Sequence, residues 1–147
     1  MQHKILVVDD CPQIRKFVAD TLKHRGYEVA TADDGHGAIL QFELDKPDLL
    51  ITDLTMPRMD GYELCRIIRR SSSVPIVVMT AQRGVGEPLK ALGAGADVFV
   101  LKPFDVGGFP AQVEALLKGA DPTAAGCQPF AVLSTAGPGL KLGARRG

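Results

Sequence analysis

Across its 147 residues the chain has no net charge, 17 basic side chains balancing 17 acidic ones, and no block of like charges stands out in it. A one-signed surface that would hold nucleic acid or an anionic membrane without regard to sequence is thereby excluded, so partners must be chosen by local features. Long apolar runs are missing too. Met1-Gln2-His3-Lys4 leads straight into a short apolar run rather than the longer apolar segment of a secretory signal. No stretch approaches the ~20 apolar residues of a membrane-spanning helix. A cytoplasmic location, with no membrane partner, is the expectation. Cysteine is scarce: Cys11, Cys65 and Cys127 are odd in number, far apart and without the paired spacing of a zinc site or redox motif, which leaves free thiols. The length suits one well-cored domain and is short for two.

What the chain does have is four short apolar runs, each ending on a polar residue suited to phosphate and metal chemistry. Ile5-Leu6-Val7-Val8 runs into Asp9-Asp10, Leu49-Leu50-Ile51-Thr52 into Asp53, Ile76-Val77-Val78-Met79 into Thr80, and Val98-Phe99-Val100-Leu101 into Lys102. Strands read as continuous apolar runs in a parallel sheet covered on both faces, and ligands of such sheets bind beyond the strands' carboxyl ends. Three carboxylates, a hydroxyl and an ammonium are therefore expected on one rim.

Helical patterns lie between the runs. Residues 12–26 carry Ile14, Phe17, Val18 and Leu22 at helical spacing, with Pro12 in the first turn and Gly26 as the stop. A shorter strand over 28–32 follows, then a helix through Ala38, Ile39, Phe42 and Leu44 that ends before Pro47. After the third strand, Met56-Pro57-Arg58-Met59-Asp60-Gly61 is turn chemistry, and 62–70 is helical with Leu64, Ile67 and Ile68 on one face. Ser71-Ser72-Ser73 makes a loop before a strand over 74–79. Residues 87–92 form a weak helix troubled by Gly84, Gly86 and Pro88, and a last helix covers about 109–118. Five alternations of strand and helix predict a doubly wound α/β sandwich.

From Gly119 onward Gly, Ala and Pro dominate and the apolar period is lost. Residues 119–147 are expected as a flexible tail without an output domain, behind a domain over 1–118. Asp121, Lys141, Arg145 and Arg146 are the tail's charges, which leaves the domain 14 basic and 16 acidic residues. The tail offers neither a recognition helix nor a basic patch, so no nucleic-acid partner is expected.

An ionised carboxylate attacks phosphorus without a general base, which suits Asp53 as a nucleophile. With Asp9 and Asp10 close by, an arriving phosphoryl group would add negative charge to an acidic pocket. Magnesium resolves this, since it prefers oxygen ligands and bridges carboxylates to phosphoryl oxygens, and manganese is an alternative. Asp10 and Asp53 are expected as direct ligands, Asp9 as direct or acting through water, and Lys102 as a point charge on another phosphoryl oxygen. Taken singly, these residues have plainer readings as helix caps, turn residues or a strand exit. Their joint placement at four strand ends favours the functional one.

In Val7-Val8-Asp9-Asp10, Asp53-Leu54-Thr55-Met56-Pro57, Met59-Asp60-Gly61, Thr80-Ala81 and Lys102-Pro103-Phe104 the chain resembles the receiver domain of two-component response regulators, of the stand-alone, chemotaxis-regulator type. The match covers about residues 4–118. The resemblance implies a flavodoxin-like fold, a five-stranded parallel sheet of order 2-1-3-4-5 flanked by five helices. It implies phosphorylation of Asp53 by a sensor histidine kinase, with Asp9, Asp10, Asp53 and the Thr55 backbone carbonyl around magnesium. Thr80 and Lys102 would bind the phosphoryl oxygens, and Thr80 and Phe99 would move together as the switch.

The function expected is a single-domain switch, a monomer or a phosphorylation-dependent dimer, that docks on a downstream protein. Catalysis would be limited to Asp53's own phosphorylation and dephosphorylation. The alternatives are a phosphorelay intermediate that passes phosphate to a histidine phosphotransfer protein, and a degenerate receiver that acts as a constitutive interaction module.

Overall fold

In the computed structural model the described residues are 3–54, 56, 58–80, 93–101, 109–118, 132–134 and 141–142; at 80, 99–101, 109–112, 132–134 and 141–142 the description is of the backbone. The strands are β1 (Lys4–Val8), β2 (Glu28–Ala32), β3 (Leu49–Asp53), β4 (Ile76–Thr80), β5 (Val98–Leu101), β6 (Val132–Ser134) and β7 (Lys141–Leu142). The helices are α1 (Pro12–His24), α2 (Gly35–Asp45), α3 (Gly61–Arg69) and α4 (Phe109–Leu117).

The sheet runs β2-β1-β3-β4-β5-β6-β7, and its first five strands are parallel. This is the doubly wound, flavodoxin-like arrangement, with the reversal of winding beside β1 and β3. Side chains alternate across each strand and so divide into two cores. Ile5, Val7, Leu49, Ile51, Val77 and Met79 pack with Val18 and Leu22 of α1 and with Val113 and Leu116 of α4. Leu6, Val8, Leu50, Ile76 and Val78 face the other way, against Ala38 and Phe42 of α2 and Leu64, Cys65 and Ile68 of α3. Apolar partners on both faces are why the runs show no polar alternation. Burial pushes the Cys65 thiol up to about 12, so it sits in this core as a small hydrophobe. Cys11 and Cys65 are free, and Cys127 lies outside the described residues.

The five parallel strands stand in the expected order, and two short strands extend the sheet beyond them: β6 pairs antiparallel with β5, and β7 with β6. Both come from the stretch read as an aperiodic tail. Val132 and Leu133 lie opposite Val100 and Phe99 and cover an edge that β5 would otherwise leave open. The fourth strand starts at Ile76, two residues late, because Pro75 has no amide proton to give a ladder and the Ile76 amide donates to Asp97 Oδ2 at 2.9 Å. Phe17 and Leu44, apolar residues of the two helical patterns, are 45% and 78% exposed. The helix expected over 87–92 lies outside the described residues, among which there are four helices. None of those is long and apolar enough to cross a membrane.

Candidate functional site: an acidic rim at the strand ends

The first carboxylate comes from the turn between β1 and α1. Asp9 follows the last residue of β1 and is wholly buried. Its amide donates to the Ala32 carbonyl at 3.2 Å, and its Oδ1 accepts the Cys11 amide at 3.0 Å. Arg15, one turn into α1, sends Nη1 back to the Asp9 carbonyl at 2.6 Å. Asp10 is exposed at the lip.

Asp53 closes β3 and is 7% exposed. Its Oδ1 accepts the Leu54 amide at 2.7 Å, which fixes the carboxylate beside its own backbone, while the Thr52 hydroxyl donates to the Asp53 carbonyl at 2.9 Å. One carboxylate oxygen from each of Asp9, Asp10 and Asp53 lies within 4.8 Å of the others. Two of the three acids are nearly removed from water, and like charges this close are unfavourable without a cation. An all-oxygen donor set of carboxylates fits magnesium or manganese.

The chain after Asp53 is held at three points. Gly61 donates its amide to the Leu54 carbonyl at 2.9 Å. A Cβ at Gly61 would overlap the Asp53 carbonyl oxygen and stand 2.9 Å from the Leu54 Cα. Met59 is buried against Gly35, where a Cβ would lie 2.6 Å from its sulfur. Arg58 takes a left-handed backbone, φ 68°, and forms an ion pair with Asp34, the N-cap of α2.

The sequence placed Asp9, Asp10 and Asp53 on one rim, and the structure brings them together there. Thr80 is the last residue of β4, the strand beside β3, with Leu101 as its partner across to β5. Phe99 stands opposite Val78, two register steps before Leu101. Lys102 and Thr55 lie outside the described residues. Sequence reasoning gave Arg15 no role and read Gly61 as part of a turn. Only the fold shows that the arginine turns back to Asp9 and that the glycine makes room for the Asp53 backbone.

A parallel doubly wound sheet with an acidic cluster at its carboxyl edge defines the class: a receiver-type signalling domain. The family model for the response regulator receiver domain matches residues 5–114, and the chain belongs to that family. It is 39% identical over 143 residues to a probable transcriptional regulator, ycf27, of Cyanophora paradoxa, covering 97% of this chain and 57% of that one. With the response regulator MprA of Mycobacterium bovis it shares 41% identity over 123 residues, 83% of this chain and 54% of that one. Among solved structures, the chemotaxis protein CheY4 of Vibrio cholerae superposes with a TM-score of 0.75 at 31% identity, covering 79% of this chain and 99% of that one. The chain spans about half the length of the curated relatives it matches.

Proposed function

We propose that this chain is a phosphorylation-controlled switch in two-component signalling, in which Asp53 accepts a phosphoryl group from a sensor histidine kinase in the cytoplasm. The observation that carries the reading is the convergence of Asp9, Asp10 and Asp53 within 4.8 Å at the carboxyl edge of the sheet, in a chain of the receiver family. An Asp53 carboxylate oxygen attacks phosphorus, the phosphorus–nitrogen bond to the donor histidine breaks, and the imidazole leaves with the electron pair. The Leu54 amide fixes the rotamer of the attacking carboxylate. Magnesium, or manganese in its place, would be held by Asp9, Asp10, Asp53 and the Thr55 carbonyl, and supplies the positive charge that an acidic pocket needs to admit phosphate.

In this reading Thr80 and Lys102 bind the phosphoryl oxygens, and Phe99 follows Thr80 as the switch packs down. The output is a changed protein-docking surface rather than chemistry on a small substrate. The names of the relatives favour a second reading, in which the same switch governs a DNA-binding output. Transfer of phosphate onward to a histidine-bearing partner would instead mark a phosphorelay intermediate.

A phosphate-affinity gel after incubation with acetyl phosphate tests the switch. Wild type is expected to give a retarded band with magnesium and none with a chelator, and Asp53→Asn none at all. A retarded band that persists in Asp53→Asn would overturn the assignment of the acceptor.

A further inference from the structure

We propose that Arg15 is the positioning residue of the acidic pair: its bond to the Asp9 carbonyl fixes the turn that presents Asp9 and Asp10 to the cation, and so sets the magnesium requirement of phosphorylation. The inference rests on the metal-assisted reading above. Only Asp9, Asp10 and Cys11 lie between the end of β1 and the start of α1. That turn lacks the usual side-chain support, since the N-cap residue, Cys11, makes no side-chain cap bond.

The Arg15 side chain supplies that support. Its guanidinium reaches back to the Asp9 carbonyl at 2.6 Å, a short, charge-assisted bond, while the residue's own amide makes the ordinary first helical bond to the Cys11 carbonyl at 3.0 Å. With the Cys11 amide on Asp9 Oδ1, both the carboxylate and the following peptide plane of Asp9 are held. That plane sets the direction in which the exposed Asp10 leaves the turn. Partners of metal ligands that act in this way typically change metal affinity about 10- to 100-fold when removed.

A guanidinium at the Asp9 carbonyl also carries charge, and the effect of that charge has the opposite sign. As a mere positive charge it would repel the cation, and its removal would tighten binding. As a positioning group, its removal weakens binding. The adjacent cation, Lys16, is the control, because it is paired with Asp20 at 2.8 Å on the exposed side of α1.

The test is a magnesium titration of the full chain followed by the amide NMR shifts of Asp10, Cys11 and Leu54, for wild type, Arg15→Met and Lys16→Met. Arg15→Met is expected to raise the magnesium Kd about 10-fold or more, and Lys16→Met to leave it unchanged. In parallel, phosphorylation of Arg15→Met by acetyl phosphate is expected to need correspondingly more magnesium yet to approach the wild-type rate at saturation. An unchanged or lower Kd in Arg15→Met, beside a wild type that binds magnesium, overturns the inference alone. A wild type whose amides do not respond to magnesium overturns the phosphorylation reading and this inference with it. Should Arg15→Met lose its dispersed spectrum, Arg15→Gln carries the test with the same threshold, since its shorter neutral side chain ends before the Asp9 carbonyl.

Discussion

Asp34 ties two parts of the rim together. Its Oδ1 accepts the Gly37 amide at 2.7 Å as the N-cap of α2, and its Oδ2 pairs with Arg58 from the segment that follows Asp53. The Gly37 amide first, and the Arg58 guanidinium second, hold its carboxyl below the ordinary 3.8. A carboxyl lowered on folding adds stability that is complete above its unfolded value and is lost as pH falls through the folded one. Asp34→Asn keeps a capping oxygen and loses the charge. Its melting temperature is expected to lie below that of wild type at about pH 6, and the gap is expected to narrow as pH falls below the ordinary 3.8 and the wild-type carboxyl protonates. Thermal melts of the two proteins across that range check it, and a gap that stays constant into acid would contradict the assignment.

At the scale of the element, the stretch between β3 and α3 makes the strongest demand on sequence. Gly61 opens α3 directly against the Asp53 backbone, so an added methyl must push the strand end or the helix start away. Gly61→Ala is expected to cost about 1–3 kcal/mol in urea unfolding, the range for a group forced into filled space. Its phosphorylation by acetyl phosphate is expected to slow, because the displaced backbone belongs to Asp53, the proposed acceptor. Unchanged stability and rate would show that the contact relaxes freely.

The helices were legible to different degrees, for reasons visible in their residues. In α3, Leu64, Cys65 and Ile68 are buried and Glu63 and Arg66 exposed, a one-sided pattern that gave the element within a residue. In α2, apolar residues stand on nearly every side, so periodicity could not say that Phe42 is buried while Leu40 and Leu44 are exposed. Phe17 misled in the same way. It is spaced as a core residue from Ile14 and Val18, yet lies at the margin of the buried face. The cap residues of both helices, Asp34 and Asp60, are polar residues just before the first turn, but which groups they bond could be read only in three dimensions.

Over the whole molecule, the order β2-β1-β3-β4-β5 follows from apolar runs that alternate with amphipathic ones, and the rim of aspartates follows from where those runs end. What the sequence could not carry is which partner a side chain or a strand edge takes. Nothing in Arg15 or Arg69 distinguishes them from other surface cations, yet Arg15 turns back to the Asp9 carbonyl. Arg69 joins the Asp97 carboxylate at 2.7 Å and the Val74 carbonyl at 2.6 Å, tying the end of α3 to the approaches of β4 and β5. The pairing of β6 with β5 was hidden for the same reason: a three-residue strand has too short a period to stand out, and its cause is the open edge of another element.

The central claim is that Asp53 is the phosphoryl acceptor of a cation-assisted acidic site, and an acyl phosphate can be located chemically. After incubation with acetyl phosphate, borohydride reduces an aspartyl phosphate to homoserine, and peptide mass spectrometry finds the residue. The expected result is homoserine at position 53 alone, formed with magnesium and absent with a chelator. Homoserine at another aspartate, or equal yield at position 53 without a divalent cation, would contradict the account.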